Sequence, residues 1–254
     1  MKLETLRRLF IILLSSVLLA ACQQEEPLAR GQGHICLRLS ADDALQTRAL
    51  QDVADPSSWY AVVTDASSTL YDAQIGDVLG AMDFDAGTYN IAVRSYDNAA
   101  AALAANDGWG DAYHEGTAND VEVSAGGTAY VHIACGRALN AKFRLSYSTF
   151  SGVINAFTVT APKAITFAYA DGTLSREAFF APNATLTYTI TYTLGGNTKT
   201  TEPQTLTLGG AATVSTLVLK SDINGELNIR LTCDDEFEDD AQADIVINGA
   251  TGKA

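Results

Sequence analysis

The amino-acid sequence predicts an all-β protein made of two consecutive sandwiches, and three observations carry that expectation. Apolar and polar residues alternate with a period of two, which belongs to strands and not to helices. Gly, Asn and Asp interrupt these runs at short intervals, as turns between antiparallel strands require. The chain of 254 residues is 47% hydrophobic and 18% charged, enough to build two ordinary cores and unlike a disordered composition.

Taken in order, strand-like runs fall at residues 34–40, 59–64, 88–94, 120–123, 129–135 and 141–147, then at 157–160, 186–194, 204–208, 213–219, 227–233 and 243–247. The clearest is 186–194, where Leu186, Tyr188, Ile190, Tyr192 and Leu194 share one face and threonines occupy the other. Gly195, Gly196 and Asn197 supply a turn after it, and the chain returns toward 204–208. Residues 98–105, rich in alanine with Asp97 or Asn98 available as N-cap, form the one helical candidate. The expected organisation is a signal peptide over 1–21, an acidic tether over 22–32, and β-sandwiches over 33–137 and 138–254.

The N-terminus is the most informative stretch. Lys2, Arg7 and Arg8 precede an apolar run over 9–19 that is too short for a bilayer span, which needs about 20 residues. It ends in Leu19-Ala20-Ala21-Cys22, which resembles the lipobox of bacterial lipoproteins, where the cysteine is lipidated and becomes the first residue. Two or more acyl chains on Cys22 would give stable anchoring, because one chain alone is marginal. Gln23-Gln24-Glu25-Glu26 is similar to the acidic tag of surface-exported lipoproteins of the Bacteroidota. The resemblance implies an outer-membrane lipoprotein facing the exterior.

The net charge is −14, and removing residues 1–21 takes away three basic residues for one acidic one. Such a chain repels nucleic acid, which is not an expected partner. Cys36, Cys135 and Cys233 remain in the mature chain, allowing one bridge and a free thiol or three buried thiols. Each follows a strand-like run, and a buried small hydrophobe is the expected role of each.

No nucleophile elbow, phosphate-binding loop or His-Glu-x-x-His motif occurs, so no catalytic residues, metal or cofactor are expected and the chain is read as a non-enzyme. His34 and Cys36 share a strand face that His132 could approach, but His132 and Cys135 point apart, which favours structural histidines over zinc. The acidic run over 234–240 lacks the glycine-punctuated spacing of a calcium loop and reads as a solvated turn. Trp109, Asp111 and Tyr113 lie in a Gly-flanked loop where rings and a carboxylate could hold a sugar; the competing expectation is that both rings close the end of the first sandwich.

Phe84-Asp85-Ala86-Gly87-Thr88-Tyr89 and the alternating Ile91 and Val93 resemble a strand opening common in transthyretin-like sandwiches and in fimbrillins. The whole mature chain also resembles a Bacteroidota lipoprotein family, domain of unknown function 4493. The resemblance is carried by Gly33-His34-Ile35-Cys36-Leu37-Arg38-Leu39, the strand ending at Cys135, Phe143-Arg144-Leu145-Ser146-Tyr147, and Phe150 with Phe157-Thr158-Val159-Thr160. These likenesses imply two transthyretin-like or immunoglobulin-like Greek-key sandwiches and a role as adhesin or pilus component, with pilus subunits or a host surface as partners. Fimbrillins carry an Arg-Ala bond after their first strand that a trypsin-like protease cuts, and Arg48-Ala49 is placed similarly here. Cutting it would release 33–40 and make 243–247 a candidate donor strand in β-augmentation. The alternative from a different class is a glycan-binding accessory lipoprotein of a polysaccharide-uptake system.

Overall fold

In the computed structural model, which describes residues 31–41, 51–76, 78–147, 154–194, 196–221, 227–234 and 243–246, the first alternating run becomes strand β1 (Gln32–Ala41). Its pleat sends Ile35 and Leu39 into the core and leaves Cys36 and Arg38 outside. The expectation that Cys36 is buried is therefore corrected: it lies on the opposite face of the pleat from its apolar neighbours. Cys135 is buried, as expected.

The first half continues through β2 (Gln51–Asp52), β3 (Tyr60–Thr64), β4 (Thr69–Gln74), one helical turn α1 (Val78–Ala81), β5 (Phe84–Asp85) and β6 (Gly87–Arg94). Helix α2 (Ala99–Ala104), β7 (Glu115–Val123) and β8 (Thr128–Ala134) complete it. One sheet is antiparallel in the order β4-β3-β6-β7. In the other, β1 lies between β2 and β8, with β5 on its first residues. Ile35, Leu39, Ala61, Val63, Tyr89, Ile91, Val93 and Ile133 share the core enclosed by these strands. Tyr89, Ile91 and Val93 point inward together as their spacing predicts, and the Tyr89 hydroxyl donates to the Asp85 carbonyl at 2.6 Å. Gly87 needs none of its conformational freedom, since a Cβ there would make only ordinary van der Waals contacts.

The second half contains β9 (Ala141–Tyr147), β10 (Ile154–Ala161), β11 (Ile165–Ala168), β12 (Glu177–Phe180), β13 (Thr185–Leu194) and β14 (Asn197–Thr200). It ends with β15 (Gln204–Thr207), β16 (Val214–Ser221), β17 (Leu227–Asp234) and β18 (Ala243–Val246). One sheet runs β12-β9-β16-β17-β18; the other runs β11-β10-β13-β14, with β15 also on β13. Leu186, Tyr188 and Ile190 are fully buried, and outward threonines pair across strands, as between Thr191 and Thr200 at 3.1 Å. β14 and β15 are one returning strand interrupted at Thr201–Pro203, where Thr201 takes over both backbone groups of Ile190. Phe143, Phe157, Phe167, Phe180 and Tyr188 dominate this core, with Phe157 and Tyr188 stacked at 4.7 Å between centroids.

Both halves lay their first strand parallel to a much later one: β1 on β8, from His34↔Thr128 to Ser40↔Ala134, and β9 on β16, from Lys142↔Val214 to Tyr147↔Leu219. Parallel neighbours cannot be joined by a tight turn, so each pairing closes a long excursion of chain.

Candidate functional site

The segment between β6 and β9 carries most of the chain's unusual chemistry. Asn98 caps α2 through its side-chain oxygen, which accepts from Ala101 N at 2.9 Å, so the predicted helix is present. A short 3-10 turn, Asn106–Gly108, then reverses the chain and delivers Trp109. Gly110 has a positive φ of +80°, and a Cβ there would stand 3.0 Å from Phe179 Cβ and O. That position needs glycine, because the loop presses against edge strand β12 and Phe179 N donates to Trp109 O at 2.7 Å.

Trp109 closes the core of the second half, not the end of the first. Its ring meets Phe167 edge-on at 4.8 Å and lies under the Arg176 guanidinium at 4.4 Å. Arg176 also donates to the Asn106 carbonyl at 3.4 Å. Lys163 donates to the Leu103 carbonyl at 2.9 Å and sits 4.8 Å over the Phe180 ring; burial lowers its pKa from the ordinary lysine value to about 8. On the other side, buried Asn140 accepts from Tyr113 N at 3.2 Å and donates to Asp111 O at 2.6 Å. The loop thereby bolts the two cores together through one ring, two cations and one amide.

The three residues singled out in the loop do not share a site. Trp109 and Tyr113 are buried, 8% and 6% exposed, and neither offers a ring face to solvent. Tyr113 donates to Glu115 Oε1 at 2.5 Å, and burial, reinforced by that carboxylate, pushes its pKa up to about 12. Asp111 alone reaches an opening. One of its oxygens accepts from the Tyr96 hydroxyl at 2.7 Å and the other from Ala112 N at 2.8 Å. Burial first, and then Asp111, raise the Tyr96 pKa well above the usual phenol value.

Asp111 borders a cleft of about 520 Å3 at the end of the β4-β3-β6-β7 sheet. Its walls include Trp59, Tyr60, Gln74, Tyr96 and His114. Trp59 stacks on His114 with centroids 6.1 Å apart, and His114 Nδ1 contacts the Gly136 carbonyl at 3.2 Å. Tyr60 lies opposite both Gln74 and Arg94 in the sheet, with the guanidinium 5.9 Å from its ring. Sequence reasoning misses Trp59, Tyr60, Gln74 and Tyr96, because β3, β4 and the end of β6 meet only in the folded chain. Tyr60 carries a usable signal, as an aromatic on the outward period of a strand.

Strand β1 forms a second candidate feature. One edge pairs with β8 from His34 to Ser40, whereas among the described residues the other pairs only at Gln32–Gly33 with β5 and at Ser40–Ala41 with β2. Between those ends lies an opening of about 320 Å3 bordered by Ile35, Leu37, Pro56, Ile75 and Leu79. His34 contacts the Met82 carbonyl at 3.1 Å and His132 pairs with Ser40 Oγ at 3.0 Å. Among the described residues no group of three His, Cys, Asp or Glu could hold a metal ion. Cys22, Arg48 and Ala49 lie outside the described residues.

Fold and site together define a tandem β-sandwich protein with a clasped junction and a first strand that, among the described residues, is paired at length along one edge alone. The chain belongs to the family described as Domain of unknown function (DUF4493), which it matches over residues 31–248. Among solved structures it is similar to a fimbrial protein from Bacteroides ovatus ATCC 8483, at 9% identity and a TM-score of 0.38, with 75% of this chain and 49% of that one covered. This chain thus spans about half the length of that protein. It is also similar to the C-terminally truncated tip fimbrial protein Mfa3 from Porphyromonas gingivalis, at 10% identity and a TM-score of 0.41, with 80% and 99% covered. No curated protein matches the sequence.

Proposed function

We propose that the chain is a surface-displayed protein, delivered to the outer membrane through lipid on Cys22, that acts without catalysis as an adhesin or fimbrillin-like pilus component and polymerises by strand exchange once Arg48-Ala49 is cut. We read residues 33–137 and 138–254 as its two structural units, a division that the presence of two separate buried clusters supports. The observation that carries the pilus reading is the placement of β1. It is hydrogen-bonded to β8 along one edge, whereas among the described residues its other edge pairs only near its ends and its middle is packed beside α1. Arg48-Ala49 falls between β1 and β2, so a cut there separates β1 covalently from everything it packs against.

Losing β1 would expose the edge of β8 and a groove emptied of Ile35 and Leu39. An incoming strand refills such a groove with main-chain hydrogen bonds and alternate side chains. β18 is an edge strand among the described residues, held to β17 from Asn228↔Val246 to Leu231↔Ala243, and the sequence over 243–247 alternates Ala243, Ile245 and Ile247. That spacing repeats Ile35, Leu37 and Leu39, so residues 243–247 of one subunit match the groove of the next. Of the three residues that the glycan-accessory reading rests on in the sequence, only Asp111 borders an opening, since Trp109 and Tyr113 are packed inside.

N-terminal mass spectrometry on protein from intact cells tests this. A mature chain beginning at Ala49, together with denaturant-resistant ladders, is the expected result. A chain beginning only at lipidated Cys22, with no ladder, removes the strand-exchange step and leaves a tethered adhesin.

A further inference from the structure

The cleft beside Asp111 plays no role in the strand-exchange scheme, yet it has the make-up of a ligand site. Its volume, about 520 Å3, lies inside the roughly 300–1,000 Å3 typical of small-ligand pockets. Its lining mixes ring faces with hydrogen-bonding groups, which suits a molecule that is apolar on one face and hydroxylated at its edge. Tyr60 and Tyr96 are each half-buried and supply the rings. The Asp111 carboxylate is already held in place by the Tyr96 hydroxyl and Ala112 N. A carboxylate has about four acceptor sites, so two such bonds leave capacity for two sugar hydroxyls.

The rest of the wall is fixed in advance. Trp59 is braced by its stack on His114, and Gln74 Nε2 donates to Ser58 O at 3.4 Å. Holding these groups before binding reduces the ordering cost that otherwise weakens a small ligand. Charge selects among sugars. The site presents Asp111 on a chain of net charge −14, so an acidic sugar is repelled. An ammonium ligand is disfavoured as well, because Arg94 already lies 5.9 Å from the Tyr60 ring.

We propose that this cleft is a binding site for a neutral saccharide, with Tyr60 and Tyr96 against the sugar face and Asp111 and Gln74 on its hydroxyls. The site does not depend on pilus assembly. A monomeric chain that binds sugar would sustain it while the pilus reading fails, and a polymerising chain that binds none would do the reverse.

The full chain is titrated with a panel of neutral oligosaccharides (glucans, mannans and galactans) and with polygalacturonate, following tryptophan fluorescence and calorimetric heat. The chain has two tryptophans, and only Trp59 borders the cleft, so a fluorescence change lost in Trp59→Phe reports the site. The expected result is saturable binding of a neutral member, weakened at least tenfold by Asp111→Asn and by Tyr60→Ala. Asp111→Asn keeps the shape of the side chain, and its unchanged melting temperature separates lost binding from lost folding. Binding that both variants leave intact, a preference for polygalacturonate, or no saturable binding across the panel overturns the assignment.

Discussion

Replacing Trp109 with alanine tests whether the loop after α2 is a structural bolt. The ring is 8% exposed and packed within the second core, against Phe167 and under Arg176. A buried indole removes on the order of 200 Å2 from water, which at about 25 cal/mol/Å2 gives about 5 kcal/mol as an upper bound. Measured Trp→Ala changes in cores cost about 3–5 kcal/mol, a range that includes the cavity left behind. The hydrogen bonds donated by Phe179 N and Lys163 stay available, because they reach the main-chain carbonyls of Trp109 and of Leu103 in α2 and not the ring. The expected loss is therefore about 3–4 kcal/mol, read as a fall of about 12–16 °C in the transition of the second sandwich. Urea unfolding, followed by tyrosine absorbance as well as circular dichroism, should show two separated transitions where the parent shows coupled ones. A loss below about 1 kcal/mol, with the unfolding profile unchanged, would refute the claim that the ring joins the two cores.

Three further outcomes rest on single side chains. The Tyr188 hydroxyl is fully buried and has no hydrogen-bond partner among the described residues, so Tyr188→Phe should leave chemical stability unchanged or raise it by about 1 kcal/mol; a clear loss in urea unfolding would mean that the hydroxyl has a partner. Lys163 has a folded pKa lowered by burial to about 8 against an unfolded value of 10.5, so between those values the unfolded chain binds the additional proton. Stability should therefore rise with pH through that window relative to Lys163→Met, and the opposite slope in pH-dependent unfolding would contradict the burial of the ammonium. Cys36 is exposed, whereas burial raises the Cys135 pKa to about 11; a thiol reagent should label Cys36 in the native protein and reach Cys135 only on unfolding, as peptide mapping would reveal.

The fold is legible wherever a strand has one wet and one dry face. β13 shows this best, with Leu186, Tyr188 and Ile190 inside and threonines outside. The signal fails where a strand is short or buries almost nothing. β4 buries only Tyr71 and β14 exposes all four of its residues, so neither displays a period, and β12 alternates in burial but over only four residues, Glu177-Ala178-Phe179-Phe180, too few to show it in sequence. The expectation for Cys36 fails because an apolar run reads as interior throughout, whereas its own alternation assigns the cysteine outward. The candidate cleft is less accessible still. Asp111 stands out as a carboxylate among rings, but its companions Tyr60, Gln74 and Tyr96 come from three separate stretches that only sheet register brings together. Trp109 is conspicuous in the sequence yet belongs to the other core, because nothing local reveals that its loop crosses to β12.

The parallel pairing of β1 with β8 also determines how the first sandwich answers a pull. Traction at the beginning of β1 and at the end of β8 draws the two strands in opposite directions along a common axis. The bonds between 34–40 and 128–134 are then loaded together, in shear, and cannot break in succession as in a hairpin opened from its ends. The path onward enters β9, whose pairing with β16 is parallel in the same way. A chain still uncut at Arg48-Ala49, held by its N-terminus and tugged through its later strands, would meet that force with its ladders broadside, so resistance comes from many weak bonds breaking at once.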